Sequence, residues 1–361
     1  MSRPVRLTCL SILLLALVVG ALPSRTDASS LLPEAEALYL TEGAYPIRVS
    51  YRFSSALFHW LDSMAGLVGV GMSGGKTVEA HRREHDRRFE RSDADNAMLR
   101  MWGEVRQEIA REAIDKRPPG LRGNPNAVLE VFLAAADVED GLKRCAEWLP
   151  ADRLTRLRAP LEHFAPRYRQ LWQQGSRAQT FLEKARTDQR LPELEALLSR
   201  MTRFYDVDLA EAPTPELVLA PVIAGYGTHA QAIGPYLLVE LRPYDRLEDV
   251  ASVIVHENAH FLDNRQPRPR VRELLAQTVK NDTDGAAYRT LREALPTALG
   301  QGVADRLFRP KRWRRNQPWY HREDIDRYAK KIYRDVNRAM RDPSTRLDRK
   351  FLRRLFDRYD P

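Results

Sequence analysis

The sequence predicts an α+β fold that is predominantly helical, and three observations carry that expectation. Up to about Tyr205, apolar residues recur three and four apart, the period of helices with one buried face. Two short β-rich stretches, residues 216–222 and 236–241, then break the pattern, punctuated by Gly225-Tyr226-Gly227 and Gly234-Pro235. A helical stretch over about residues 247–262 follows, with Asp245 placed to cap it. The order is helices, a small sheet, then helices again, with a boundary near residue 205.

From the N-terminus, residues 1–6 are short and basic, 7–22 are apolar, and small residues surround Ala21 and Ala28. That composition reads as a secretory signal peptide over residues 1–28. An uncleaved N-terminal anchor is the competing reading, because the apolar run is short for a full span. Either way the remainder is expected outside the cytosol, periplasmic or secreted, with membrane association confined to residues 7–22. Cys9 lies in the apolar run, so Cys145 is the single cysteine of the mature chain. An intrachain disulfide is thereby excluded, and any zinc must be held by histidines and carboxylates.

Residues 29–204 read as a helical region of unassigned role. An apolar helix carrying His59 and Trp60 leads into the glycine-rich residues 66–75 and Lys76-Thr77. This is not a phosphate loop: Val70 stands where the first glycine belongs, and no strand precedes it. Residues 97–113, 127–149 and 151–174 are helical in period, with Asp137 and Glu139 interrupting the second apolar face. Pro118-Pro119-Gly120 and Gly123-Asn124-Pro125 mark turns. The net charge of +9 is mild and spread along the chain. Its densest patch, Arg309-Pro310-Lys311-Arg312-Trp313-Arg314-Arg315, reads as a solvated connector, and an exported chain is expected to have no nucleic-acid partner.

Chemistry concentrates in His256-Glu257-Asn258-Ala259-His260. Residues four apart share a helix face, so two imidazoles can address one metal ion while Glu257 stands beside it. Val253-Ile254-Val255 before the motif and Phe261-Leu262 after it let this helix bury one face. A mirror-image rival, His81-Arg82-Arg83-Glu84-His85, fits His-x-x-Glu-His but sits in a run almost without apolar residues. Context therefore favours the later motif. Catalytic zinc needs a third protein ligand. Glu293, in a helical segment beginning near Asp284 with small apolar neighbours, is the first choice; Glu273 and Asp284 are the fallbacks.

In these residues the chain resembles the gluzincin branch of zinc metallopeptidases, over about residues 215–335. There a glutamate on a second helix completes the site and is often followed by small residues, as Glu293-Ala294 is here. Two departures stand out: Pro296 falls inside the second helix, and Thr297 stands where one branch has an aspartate supporting a ligand histidine. The aspzincin pattern is absent around Asp284, and Asp263 and Gln266 replace the glycine and histidine a metzincin requires.

The resemblance implies a zincin-like catalytic domain over residues 205–361, a Zn2+ cofactor held by His256, His260 and Glu293, and a peptide or protein substrate. It implies hydrolysis by a zinc-activated water with Glu257 as general base. The nearest matches to the oxyanion donors that follow the ligand glutamate are Tyr320 and His321, with Tyr328 behind them. Substrate is expected as an added strand along a sheet edge at residues 232–241, with Pro235 tolerated there. His229 could line the cleft or cap a turn, and the turn is the favoured reading. The plainer alternative is an ordinary amphipathic helix whose histidines are satisfied by neighbours. The alternative function is a non-enzymatic envelope-associated binding protein with a structural or inactive zincin-like domain.

Overall fold

The computed structural model describes residues 38–67, 75–112, 117, 118, 121, 124–172, 176–209, 214–222 and 229–360. The expected signal segment, residues 1–28, and residues 68–74 of the glycine-rich stretch lie outside the described residues. Ala37–Pro361 forms one compact unit. No helix among the described residues is long and apolar enough to cross a membrane.

The described chain opens with β1 (Leu38–Thr41) and β2 (Ile47–Ser50). Helices α1 (Phe53–Met64), α2 (Gly75–Arg88), α3 (Asp93–Arg111), α4 (Ala127–Ala134), α5 (Val138–Ala146), α6 (Ala151–Trp172), α7 (Ser176–Arg186) and α8 (Leu191–Tyr205) follow. Next come β3 (Glu216–Pro221), β4 (Ala230–Ile233), β5 (Tyr236–Leu241), α9 (Leu247–Arg265), α10 (Arg268–Thr278) and α11 (Asp282–Thr297). A π-helical turn, Ala298–Ala304, runs on into α12 (Asp305–Phe308), and α13 (Glu323–Ala339) and α14 (Arg349–Phe356) complete the order.

The strands form a five-stranded mixed sheet in the order β1-β2-β3-β5-β4. β3 pairs in parallel with both β2 and β5, while the outer pairs are antiparallel. Alternation along β3 and β5 explains the layers. Leu217, Leu219, Leu237 and Val239 enter a core shared with α7, α8, α9, α11, α13 and α14. Val218, Ala220 and Leu238 enter another core, with α1, α3, α4, α5 and α6. Parallel strands covered on both faces read as near-continuous apolar runs, as these two do. The protein is thus α+β and mostly helical, with the small sheet between two helical layers. The boundary expected near residue 205 marks the end of α8 and does not divide the compact unit, because β1 and β2 complete the same sheet and α1 and α3 to α6 cover one of its faces.

Local chemistry sets the helix ends. α3 starts at Asp93, ahead of the expected residue 97, because Ser92 and Asp95 form a reciprocal capping box. Residues 127–149 hold two helices, since Asp137 accepts the Asp140 N–H at 2.8 Å and caps α5. Asp245 does not cap α9. Its carboxylate accepts the Arg242 N–H at 2.7 Å and pairs with that guanidinium, closing the preceding turn and leaving Arg246 as N-cap. The expected edge strand is also corrected: β5 is interior, β4 is the edge, and Pro235 lies in the two-residue turn joining them. Gly234 takes the positive φ of 54° that such a turn needs at its first position.

Candidate metal centre

His256 and His260 stand one turn apart on α9 with their Nε2 atoms 3.2 Å from each other. Glu293 on α11 closes the triangle, with Oε1 2.9 Å from His256 Nε2 and Oε2 3.4 Å from His260 Nε2. Ligands about 2.0–2.1 Å from one tetrahedral centre are roughly 3.3 Å from each other, so the donor set fits zinc. Two imidazole lone pairs facing each other at such a distance repel unless a proton or a cation stands between them. Among the described residues, this is the cluster of side chains placed to hold a metal.

Without an ion, the three groups offset one another's burial by pairing. Burial opposes ionisation of Glu293, yet the hydrogen bonds from His256 and His260 outweigh it and hold the carboxyl well below the usual carboxylate range. Burial likewise opposes a charge on His256, but the Glu293 hydrogen bond and the neighbouring Glu257 charge overcome it and raise its pKa.

Elements from both sides of residue 205 hold α9 in place. Glu257 is buried, and its Oε2 accepts the Ala232 N–H of β4 at 2.8 Å. Asn258 is pinned by the hydroxyl of Tyr45, which donates to its Oδ1 from the loop between β1 and β2. Gly300 of the π-helical turn permits the closest approach to α9: a Cβ there would lie 2.4 Å from the Ser252 carbonyl oxygen and 2.9 Å from His256 Cβ.

All six residues singled out in the sequence line one cavity of about 420 Å³: His256, Glu257, His260, Glu293, Tyr320 and His321. The Trp319 and Tyr320 N–H groups donate to Asp326 Oδ1 at 2.5 and 3.2 Å, which anchors the loop before α13 over the cavity. The Tyr320 ring lies parallel to that of His256, centroids 6.3 Å apart. Burial, then the Glu293 charge, push the Tyr320 pKa up.

Tyr328, Glu273 and Asp284 lie elsewhere. Tyr328 is in the core, donating to the Leu355 carbonyl at 3.0 Å. Glu273 accepts from Gln277 on the exposed side of α10, and Asp284 pairs with Arg353 of α14. Pro296 does not interrupt α11, and Thr297 donates to the Glu293 carbonyl rather than to a ligand histidine. His229 lines the cavity as well as leading into β4, its N–H held by Glu240 Oε2 at 3.1 Å. In the rival motif, the side chains of His81 and Glu84 lie outside the described residues, while His85 is buried against Trp60, Phe89 and Phe164. The basic stretch is largely engaged: Arg309 pairs with Asp305, and Arg314 and Arg315 donate to backbone carbonyls.

Sequence reasoning missed Gln301, whose Oε1 is 3.3 Å from His256 Nδ1. Only the change of helical pitch after Thr297 brings it there, and no composition signal marks that change.

No family model, curated protein or solved structure matches this chain. The site is therefore read from its own geometry.

Proposed function

We propose that this chain is an exported zinc-dependent metallopeptidase with a zincin-like arrangement of sheet and active helix. The observation that carries the proposal is the convergence of His256 Nε2, His260 Nε2 and the Glu293 carboxylate beside Glu257 in one cavity. His256, His260 and Glu293 would hold the ion. Zinc bound there supplies a Lewis acid for the scissile carbonyl and brings the pKa of water toward neutrality.

The chain's own groups do the rest. Glu257 takes the proton of the attacking water on its carboxylate and delivers it to the leaving amine nitrogen. The Ala232 N–H keeps that carboxylate oriented. Tyr320 keeps its phenolic proton at neutral pH and donates it as a hydrogen bond to the developing oxyanion, with His321 beside it as the second donor. The substrate backbone lies along β4. The hydrogen bond from Glu240 N–H to the His229 carbonyl fixes the ladder register, which turns the backbone groups of Ala230 and the Ala232 carbonyl toward the open edge, while the Ala232 N–H stays with Glu257.

The test is metal content with turnover on a peptide library. About one zinc per chain, lost in His256→Ala and Glu293→Ala and kept in a Glu257→Gln variant without turnover, supports the assignment. Normal hydrolysis by Glu257→Gln would remove the general base. A metal-replete protein without zinc would favour the envelope-associated binding protein, with the helical layer of α1 to α6 as its contact surface.

A further inference from the structure

Glu293 and Gln301 grip the same imidazole from opposite ends, Glu293 Oε1 at Nε2 and Gln301 Oε1 at Nδ1 of His256. A regular α-helix turns about 100° per residue, so eight residues would leave Gln301 roughly 80° away from the direction of Glu293. The π-helical turn Ala298–Ala304 advances less per residue and swings Gln301 back toward α9. Two contacts fix this wider turn. Gly300 lets its backbone touch α9 at Ser252 and His256, and Trp313 Nε1 donates to the Gln301 carbonyl at 3.0 Å. π-turns of this kind are uncommon and concentrate at functional sites.

We infer that Gln301 is the positioning residue of His256, an inference that rests on the zinc reading of the site. A side-chain amide oxygen accepts but cannot donate, so it holds the proton on Nδ1 and leaves the Nε2 lone pair directed at the ligand cluster. The amide is neutral. It polarises the imidazole less than a carboxylate at the same place would, so this chain carries a weaker version of the carboxylate–histidine support that Thr297 does not supply. The opposite amide orientation would put the proton on Nε2 and block ligation.

The experiment is zinc affinity by chelator competition on the whole mature chain, with the visible spectrum of the cobalt-substituted form as a second readout. Gln301→Ala should weaken zinc binding about 10–100-fold and alter the cobalt spectrum. Gln301→Glu should bind zinc at least as tightly as the native chain, a result that loss of packing cannot produce. Native-like affinity of Gln301→Ala, or an equal loss in Gln301→Glu, would overturn the inference while leaving the metal site standing. A native chain that binds no zinc would instead bring down the metallopeptidase reading, and this inference with it.

Discussion

Replacing Gly300 by alanine separates the fold from the site. The added Cβ would stand 2.4 Å from the Ser252 carbonyl oxygen, where ordinary contact begins at 3.4 Å, so the π-helical turn and α9 must part by about 1 Å. Overpacking of this kind costs about 1–3 kcal/mol. Alanine returns about 1 kcal/mol of helix propensity, so the net loss of stability should be about 0–2 kcal/mol. The proposed metal site is far less tolerant, because ligand distances must hold within about 0.2 Å. The same substitution should therefore weaken zinc binding more than tenfold while the protein stays folded. Urea unfolding of the metal-free protein and zinc competition with a chelator measure the two effects separately. Gly103→Ala in α3, where an added methyl would meet nothing within 4 Å, is the control and should stabilise by up to about 1 kcal/mol. Native zinc affinity in Gly300→Ala would show that α9 and the π-helical turn are not rigidly coupled at His256.

Three further outcomes are expected. Asp62 accepts from Trp102 Nε1 at 2.8 Å and binds buried Arg106 through both oxygens, so Asp62→Ala should cost about 3–5 kcal/mol; a urea midpoint shift worth under 1 kcal/mol would refute this. Burial depresses the pKa of His85, with the Asp86 hydrogen bond only partly opposing it, so below about pH 6.5 the unfolded chain binds a proton that the folded chain resists. Stability should then fall as pH drops from 7 toward 5, and fall less in His85→Leu; parallel urea midpoints across that range would remove His85 as the cause. Tyr320→Phe should keep its zinc and lose on the order of a hundredfold in kcat, and if both it and His321→Ala turn over at the native rate the oxyanion assignment is wrong.

The pairing of His256 and His260 on α9 was legible because it is local. His256 and His260 are four apart within an apolar context, and that spacing dictates a shared face whatever packs around it. The placement of Glu293 beside the two histidines was reachable because α11 keeps a helical period up to that residue. The sheet was only half legible: β1, β2 and β4 have four residues each, which leaves two residues per face and no measurable alternation. Gln301 was hidden because pitch changes are set by contacts between α9 and the π-helical turn, not by residues in sequence. Asp245 illustrates a different limit, since a carboxylate before a helix can cap it or close the turn behind it. Here the Arg242 guanidinium decided for the turn.

The helical layer before residue 205 belongs to the scaffold of the site rather than standing apart from it. His59 of α1 and Glu240 of β5 meet at 2.8 Å with side chains 4% and 1% exposed, and such a carboxylate is tolerable in a core only when partnered. The other oxygen of Glu240 holds the His229 N–H at the start of β4. Two residues into that strand, the Ala232 N–H holds Glu257. A second tether, Tyr45 on Asn258, reaches the residue next to Glu257 from the hairpin loop of β1 and β2. Each tether fixes backbone or amide geometry beside the proposed general base, and both start from residues before position 60. A fragment cut at residue 205 would keep His256, His260 and Glu293 and lose both tethers, along with the cover over Val218, Ala220 and Leu238. The proposed metal ligands are contributed by the second half of the chain, but the orientation of Glu257 is a property of the whole.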